Sequence, residues 1–259
     1  MKFRIAASLA VLLAACSPQT PAPAPNASAS ASATPTGAAA AKRMALPDCG
    51  SLGGPNSDDN GAYKDCRLMD EKSGLSFEAR FATNTKPDEG DHIVNIAVVQ
   101  PGDATLQTIT ETVEGTISVM ELQDLDGDGY KELLVPLMTG NVNTEYAVWH
   151  MPAGAKQYIR VGTVSGFAVG RKDDYVVVNA RSAANIQDLM YYTLKNGELK
   201  LIGAAEFTAE GNPDKPTVKC AVLDGKPDDP KGGLAVGGLT PAAARVKWCS
   251  EDARKAAFQ

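Results

Sequence analysis

The chain has little with which to do chemistry. Its 259 residues include two histidines, His92 and His150, widely separated and in no metal-spaced pair. A lone histidine in a strand-like run is ordinarily a packing residue, so a histidine-based catalytic site is not expected. The sequence lacks a Gly-x-Ser-x-Gly elbow, a phosphate-cradling glycine loop and a dinucleotide fingerprint. No two cysteines stand in Cys-x-x-Cys spacing, which argues against structural zinc. After residue 15 no segment is long and apolar enough to span a bilayer. Basic side chains are not in excess either: 25 Lys and Arg face 31 Asp and Glu, a formal net charge of −6. That balance disfavours nucleic acid and anionic membrane surfaces as partners and favours cationic ones. A binding protein is therefore expected, not an enzyme.

What the sequence does contain is Asp124-Leu125-Asp126-Gly127-Asp128-Gly129-Tyr130-Lys131-Glu132. Carboxylates at positions 1, 3, 5 and 9 of this run, with glycine at 6, form the ligand ladder of a calcium loop. The expected ligands are Asp124, Asp126, Asp128 and Glu132 through their side chains and Tyr130 through its backbone carbonyl. An EF-hand would need flanking helices and a glutamate at position 12. Position 12 is Val135, followed by Pro136, which does not suit an exiting helix. Val119–Gln123 alternates apolar with polar, and Leu133–Met138 is a short apolar run, so the loop should join two strands. A metal-free acidic turn is the plainer alternative, since Asp-Gly is itself a turn signal.

At the N-terminus, Lys2 and Arg4 precede a short apolar stretch from Ile5 to Ala15, as in a secretion signal. Leu13-Ala14-Ala15-Cys16 resembles the lipobox of bacterial lipoproteins. The resemblance implies removal of residues 1–15 and lipid attachment to Cys16. Ser17 in place of aspartate implies, by the same analogy, an outer-membrane anchor facing the periplasm. Loss of the signal leaves 23 basic against 31 acidic side chains, a net charge of −8. Residues 17–41 are almost wholly Ala, Pro, Ser, Thr, Asn and Gln, too poor in apolar surface to fold, so 16–43 reads as a lipidated tether. Residues 44–259 suit one domain.

Four cysteines remain beyond Cys16: Cys49, Cys66, Cys220 and Cys249. An even number in an oxidising compartment reads as two disulfides, with three connectivities open. The neighbouring pairs Cys49–Cys66 and Cys220–Cys249 are favoured, each stapling one end of the domain.

Most of the domain reads as short strands divided by turns: Phe77–Phe81, Ile93–Val99, Leu106–Val113, Thr144–His150, Tyr158–Val164, Tyr175–Val178 and Leu189–Leu194. Asn196-Gly197 is a hairpin signal because both residues tolerate positive φ. The pattern indicates an all-β fold of antiparallel sheets, propeller-like or sandwich, with the calcium loop on a hairpin. Thr240-Pro241 is an N-cap followed by proline at the first helical position, opening a short C-terminal helix through Lys255. Thr139–Trp149 is a small polar loop feeding a strand that bears Tyr146 and Trp149. Its Asn141, Asn143 and Tyr146 are the candidate partner-binding residues, against a plainer reading as turn and core.

The calcium hairpin followed by Gly-Asn-x-Asn-x-x-Tyr-x-x-Trp over 140–149 resembles periplasmic lipoproteins that serve as immunity proteins of bacteria-killing type IV secretion systems. Val98–Asp103 and Leu106–Ile109 fit the same group. The resemblance implies a β-rich, calcium-bearing protein, similar to periplasmic lysozyme inhibitors, whose partner is a cationic peptidoglycan hydrolase. Such inhibitors often carry Ser-Gly-x-x-Tyr. The nearest match here is Ser73-Gly74-Leu75-Ser76-Phe77, with phenylalanine in the tyrosine position. The calcium loop alone also resembles integrin-type propeller repeats. A calcium-dependent scaffolding module of the envelope is the alternative function, and an enzyme acting on envelope polymers a third.

Overall fold

The structure is a computed structural model that describes residues 46–52, 63–82, 90–212, 216–224 and 233–258. The expected signal, lipidated Cys16 and tether lie outside the described residues, as do the loop at 56–61 and most of that at 224–233.

Two sheets account for the described fold. The first contains β1 (Cys66–Met69), β2 (Ser76–Phe81), β3 (Asp91–Val99), β4 (Thr105–Glu114), β6 (Glu132–Thr139), β7 (Thr144–His150) and β8 (Ile159–Gly166) in that order, with the short β5 (Glu121–Gln123) paired to β6. All these pairings are antiparallel except β4 with β6. The second sheet runs β13 (Thr217–Leu223), β12 (Glu198–Glu210), β11 (Ile186–Lys195), β10 (Tyr175–Ala183), β9 (Ala168–Lys172), antiparallel throughout. The all-β expectation holds. The two-sheet arrangement, and not a propeller or closed barrel, describes it.

Side chains alternate across a strand, so one strand can feed two cores. In β6, Leu133 and Val135 join a core on the outer face of the first sheet, with Phe77, Ile96 and Ile109. Leu134 turns the other way, with Tyr146 and Val148 of β7, toward Val169, Val176, Val178, Tyr192 and Leu194 of the second sheet. The unbroken run Leu133-Leu134-Val135 is explained by burial on both faces. A third core lies on the far face of the second sheet, where Ile202 and Phe207 meet Leu234, Ala244, Trp248 and Ala253 from the C-terminal helices. Trp248 stacks on Tyr191 with ring centroids 4.3 Å apart.

The single helix expected from Pro241 through Lys255 is two. After the brief α1 (Gly233–Val236) come α2 (Pro241–Trp248) and α3 (Glu251–Ala257). Thr240 caps α2 as read from sequence, its side chain accepting from the Ala243 N–H. The chain then breaks at Cys249 and restarts at Ser250, whose side chain accepts from the Ala253 N–H as a second N-cap. Ser250 satisfies an orphan donor in mid-segment and so permits the break. Asn196 and Gly197 take φ of 55° and 73°, the double positive φ of a two-residue hairpin, between Lys195 and its partner Glu198.

Both favoured disulfides are present, Cys49–Cys66 and Cys220–Cys249. The second ties β13 to the break between α2 and α3 across a sequence separation of 29. Replacing Cys220 and Cys249 together with alanine is expected to lower the unfolding free energy, measured in urea, by about 3–4 kcal/mol, the chain-entropy value for a loop of that length.

Candidate metal centre

The acidic run connects β5 to β6, whose register pairs Gln123 with Glu132 and Leu122 with Leu133. A hairpin therefore brings the two ends of the run together, and the eight residues between must coil. They do so on their own side chains. Asp124 Oδ1 accepts from the Gly127 N–H at 2.7 Å, Asp126 Oδ1 from Asp128 at 3.1 Å, and Asp128 Oδ1 from Tyr130 at 2.7 Å. These local bonds are what short acidic side chains favour in turns. Gly127 and Gly129 have φ of 80° and 89°, where a side chain costs steric strain.

The coil gathers the acids. One carboxylate oxygen from each of Asp124, Asp126 and Asp128 lies within 4.8 Å of the others. Asp126 also belongs to a second group with Glu132 and His150, drawn together equally closely. Asp126 is thus common to an exposed rim of aspartates and a buried floor.

That floor is set by core packing. Glu132 is 0% exposed and His150 6%. Glu132 Oε2 accepts from the Leu125 N–H at 2.6 Å, and Oε1 lies 2.9 Å from His150 Nδ1. His150 Nδ1 stands 3.8 Å from Asp126 Oδ2. Burial pushes the Glu132 carboxyl up to about 7, the nearby Asp126 charge adding to the rise, while the bonds from His150 and Leu125 oppose it. Leu125 itself is inserted in the core between the two sheets, so the loop is pinned from below.

Two cations lie against the glycines of the loop. A methyl group on Gly127 would overlap the Arg171 guanidinium of β9, and one on Gly129 the Lys72 ammonium. Lys131 pairs instead with the buried Asp70 at 3.5 Å, and its carbonyl accepts from the Tyr158 hydroxyl at 3.0 Å. Among the described residues neither Arg171 nor Lys72 forms an ion pair with the three aspartates. The carboxylates face one another with two cations at hand.

His150, read from sequence as an ordinary strand residue, lies in this centre. The signal was its alternation with Tyr146 and Val148, which puts it on their face of β7. The missing information was the β6–β7 register, which sets Leu133 opposite Trp149 and so brings Glu132 beside His150. His92 is buried against Tyr63, with ring centroids 5.2 Å apart.

The candidate partner-binding residues are not gathered on one surface. Tyr146 is 5% exposed, its hydroxyl 3.2 Å from both Ser118 Oγ and Glu121 Oε1. The Asn143 amide donates to the Arg181 carbonyl and accepts from the Arg181 N–H, each at 3.0 Å, clamping the β6–β7 turn to β10. Asn141 is exposed at the tip of that turn. In the Ser-Gly-x-x-Phe run, the Ser73 hydroxyl donates to Asp70 at 2.6 Å and Phe77 is wholly buried beside Tyr158. Glu132→Leu is expected to cost about 2–5 kcal/mol in a urea melt, because the Leu125 N–H and the His150 ring each lose a buried partner.

Among the described residues, no helix is long and apolar enough to cross a membrane. No protein-family model matches the chain, and no curated protein matches it. A solved structure described as that of a Xanthomonas type IV secretion system related protein is similar at 15% identity and a TM-score of 0.43, over 64% of this chain and 92% of that one. A likeness that loose carries no argument about this chain.

Proposed function

We propose that this chain is a calcium-stiffened periplasmic β-domain, tethered to the outer membrane through Cys16, that inhibits a lysozyme-like peptidoglycan hydrolase. The observation that carries the calcium part is the convergence of Asp124, Asp126 and Asp128 within 4.8 Å. Like charges gather at such range at a cost unless a cation is shared between them. The donor set is hard oxygen, the kind calcium takes. Asp124, Asp126, Asp128 and Glu132 would hold the ion by carboxylate and Tyr130 by its carbonyl. The ion would supply charge neutralisation and a fixed loop. A loop fixed in advance loses less entropy when a partner docks.

The hydrolase part rests on the resemblance carried by the acidic hairpin and residues 140–149, and on charge. An acidic domain suits a cationic lysozyme-like enzyme and speeds its encounter. The two disulfides fit an oxidising compartment. Within the β6–β7 turn, the partner contact falls to Asn141 and its exposed neighbour Val142, since the Asn143 amide is bonded to the Arg181 backbone and Tyr146 is buried.

Two measurements test this. Chelation should lower the melting temperature, and Asp126→Ala, which removes the residue common to both acidic groups, should make the melt insensitive to chelator. Identical melts of the parent protein with and without chelator would sink the calcium reading. Excess purified domain should slow lysis in a cell-wall turbidity assay; no effect on any of several hydrolase classes would favour the scaffolding alternative.

A further inference from the structure

We propose that His150 is the positioning residue of the acidic loop: its Nδ1–H holds the Glu132 carboxylate in the orientation a bound cation requires. The inference rests on the calcium reading above and names the part of that site the loop motif does not contain.

Glu132 is the first residue of β6 and shares a face with Leu134, so its side chain enters the end of the core between the sheets. A carboxylate there must be hydrogen-bonded to be tolerated. It has two partners, one on each oxygen: the Leu125 N–H at 2.6 Å and His150 Nδ1 at 2.9 Å. An ionised carboxylate offers about four lone-pair sites. One donor on each oxygen leaves a lone pair on each for an ion. A single donor would leave the last torsion of the side chain loosely held, because such sp³–sp² torsions are broad. Two donors on opposite oxygens fix the plane.

The chemistry of the second donor matters. Calcium takes oxygen ligands, so His150 acts through Glu132 and not on the ion. An imidazole can donate an N–H while uncharged, which lysine and arginine cannot. A residue of this type can therefore orient the carboxylate without a permanent positive charge. The same nitrogen is 3.8 Å from Asp126 Oδ2, so His150 faces the two acids that join the buried floor to the exposed rim. Its own place is secured by β7, where it follows the buried Val148 on the same face.

The test is calcium titration calorimetry on the purified protein and two variants. His150→Leu should weaken binding about 10- to 100-fold, the usual effect of removing a partner that orients a ligand. His150→Asn, whose amide N–H falls near the place of Nδ1, should recover most of that loss; a side chain with only a packing role would not be rescued by a smaller polar one. His150→Leu binding within twofold of the parent protein would overturn the proposal. Should that variant fail to fold, long-range ¹⁵N–¹H spectra of the unaltered protein decide. With two histidines in the chain, His150 should show the Nδ1–H tautomer and shift in step with calcium occupancy, with His92 as the internal reference. An Nε2–H tautomer, or His150 signals indifferent to calcium, would overturn it equally. Absence of calcium binding by the parent protein would fell the site reading itself; intact binding with an indifferent His150 would fell only this inference.

Discussion

A carboxylate with no access to water anchors the centre of this molecule. Glu132 begins β6 at the end of the core between the sheets, and its two oxygens are held by the Leu125 N–H and the His150 ring. Burial of an acid is tolerable only with such partners, and partners in a core have fixed positions. The backbone of the acidic run is therefore tied at Leu125, the side chain of Glu132 is tied at β7, and the loop between has little freedom left. Its three aspartates accept from the backbone N–H groups of Gly127, Asp128 and Tyr130 and, in doing so, converge.

The same device links the loop to the fold as a whole. Leu125 lies among side chains of both sheets, and Arg171 reaches the loop from β9. Asn143 clamps the other end of the β6–β7 hairpin to β10 through the backbone of Arg181. The second sheet thus braces the hairpin at both ends. It is itself backed by the two C-terminal helices and the Cys220–Cys249 bridge. A loop whose neighbours are rigid presents a fixed geometry, which is what an ion or a protein partner rewards.

Local chemistry was legible wherever a residue type satisfies a need within a few positions of itself. The Asn196-Gly197 turn, the Thr240 cap, the strands flanking the acidic run and the spacing of its acids are of this kind. The neighbouring cysteine pairs are those joined, as short loops close most readily. The division of the C-terminal helix is not legible because Ser250 competes as a cap inside a segment otherwise free of breakers. Tyr146 and Asn143 have the residue types of a binding surface, yet their polar atoms are engaged by Glu121, Ser118 and Arg181, all distant in sequence.

Sequence alone determined the strand periodicity, the turns and a nine-residue acid ladder, because alternation and turn propensity act between near neighbours. Tertiary structure decided that β6 lies beside β7 in a register that sets His150 against Glu132, and that two sheets close over Leu125. Register and sheet packing are choices among long-range alternatives of similar local energy. They are settled by which apolar faces can be buried together, and no short window of residues contains that information.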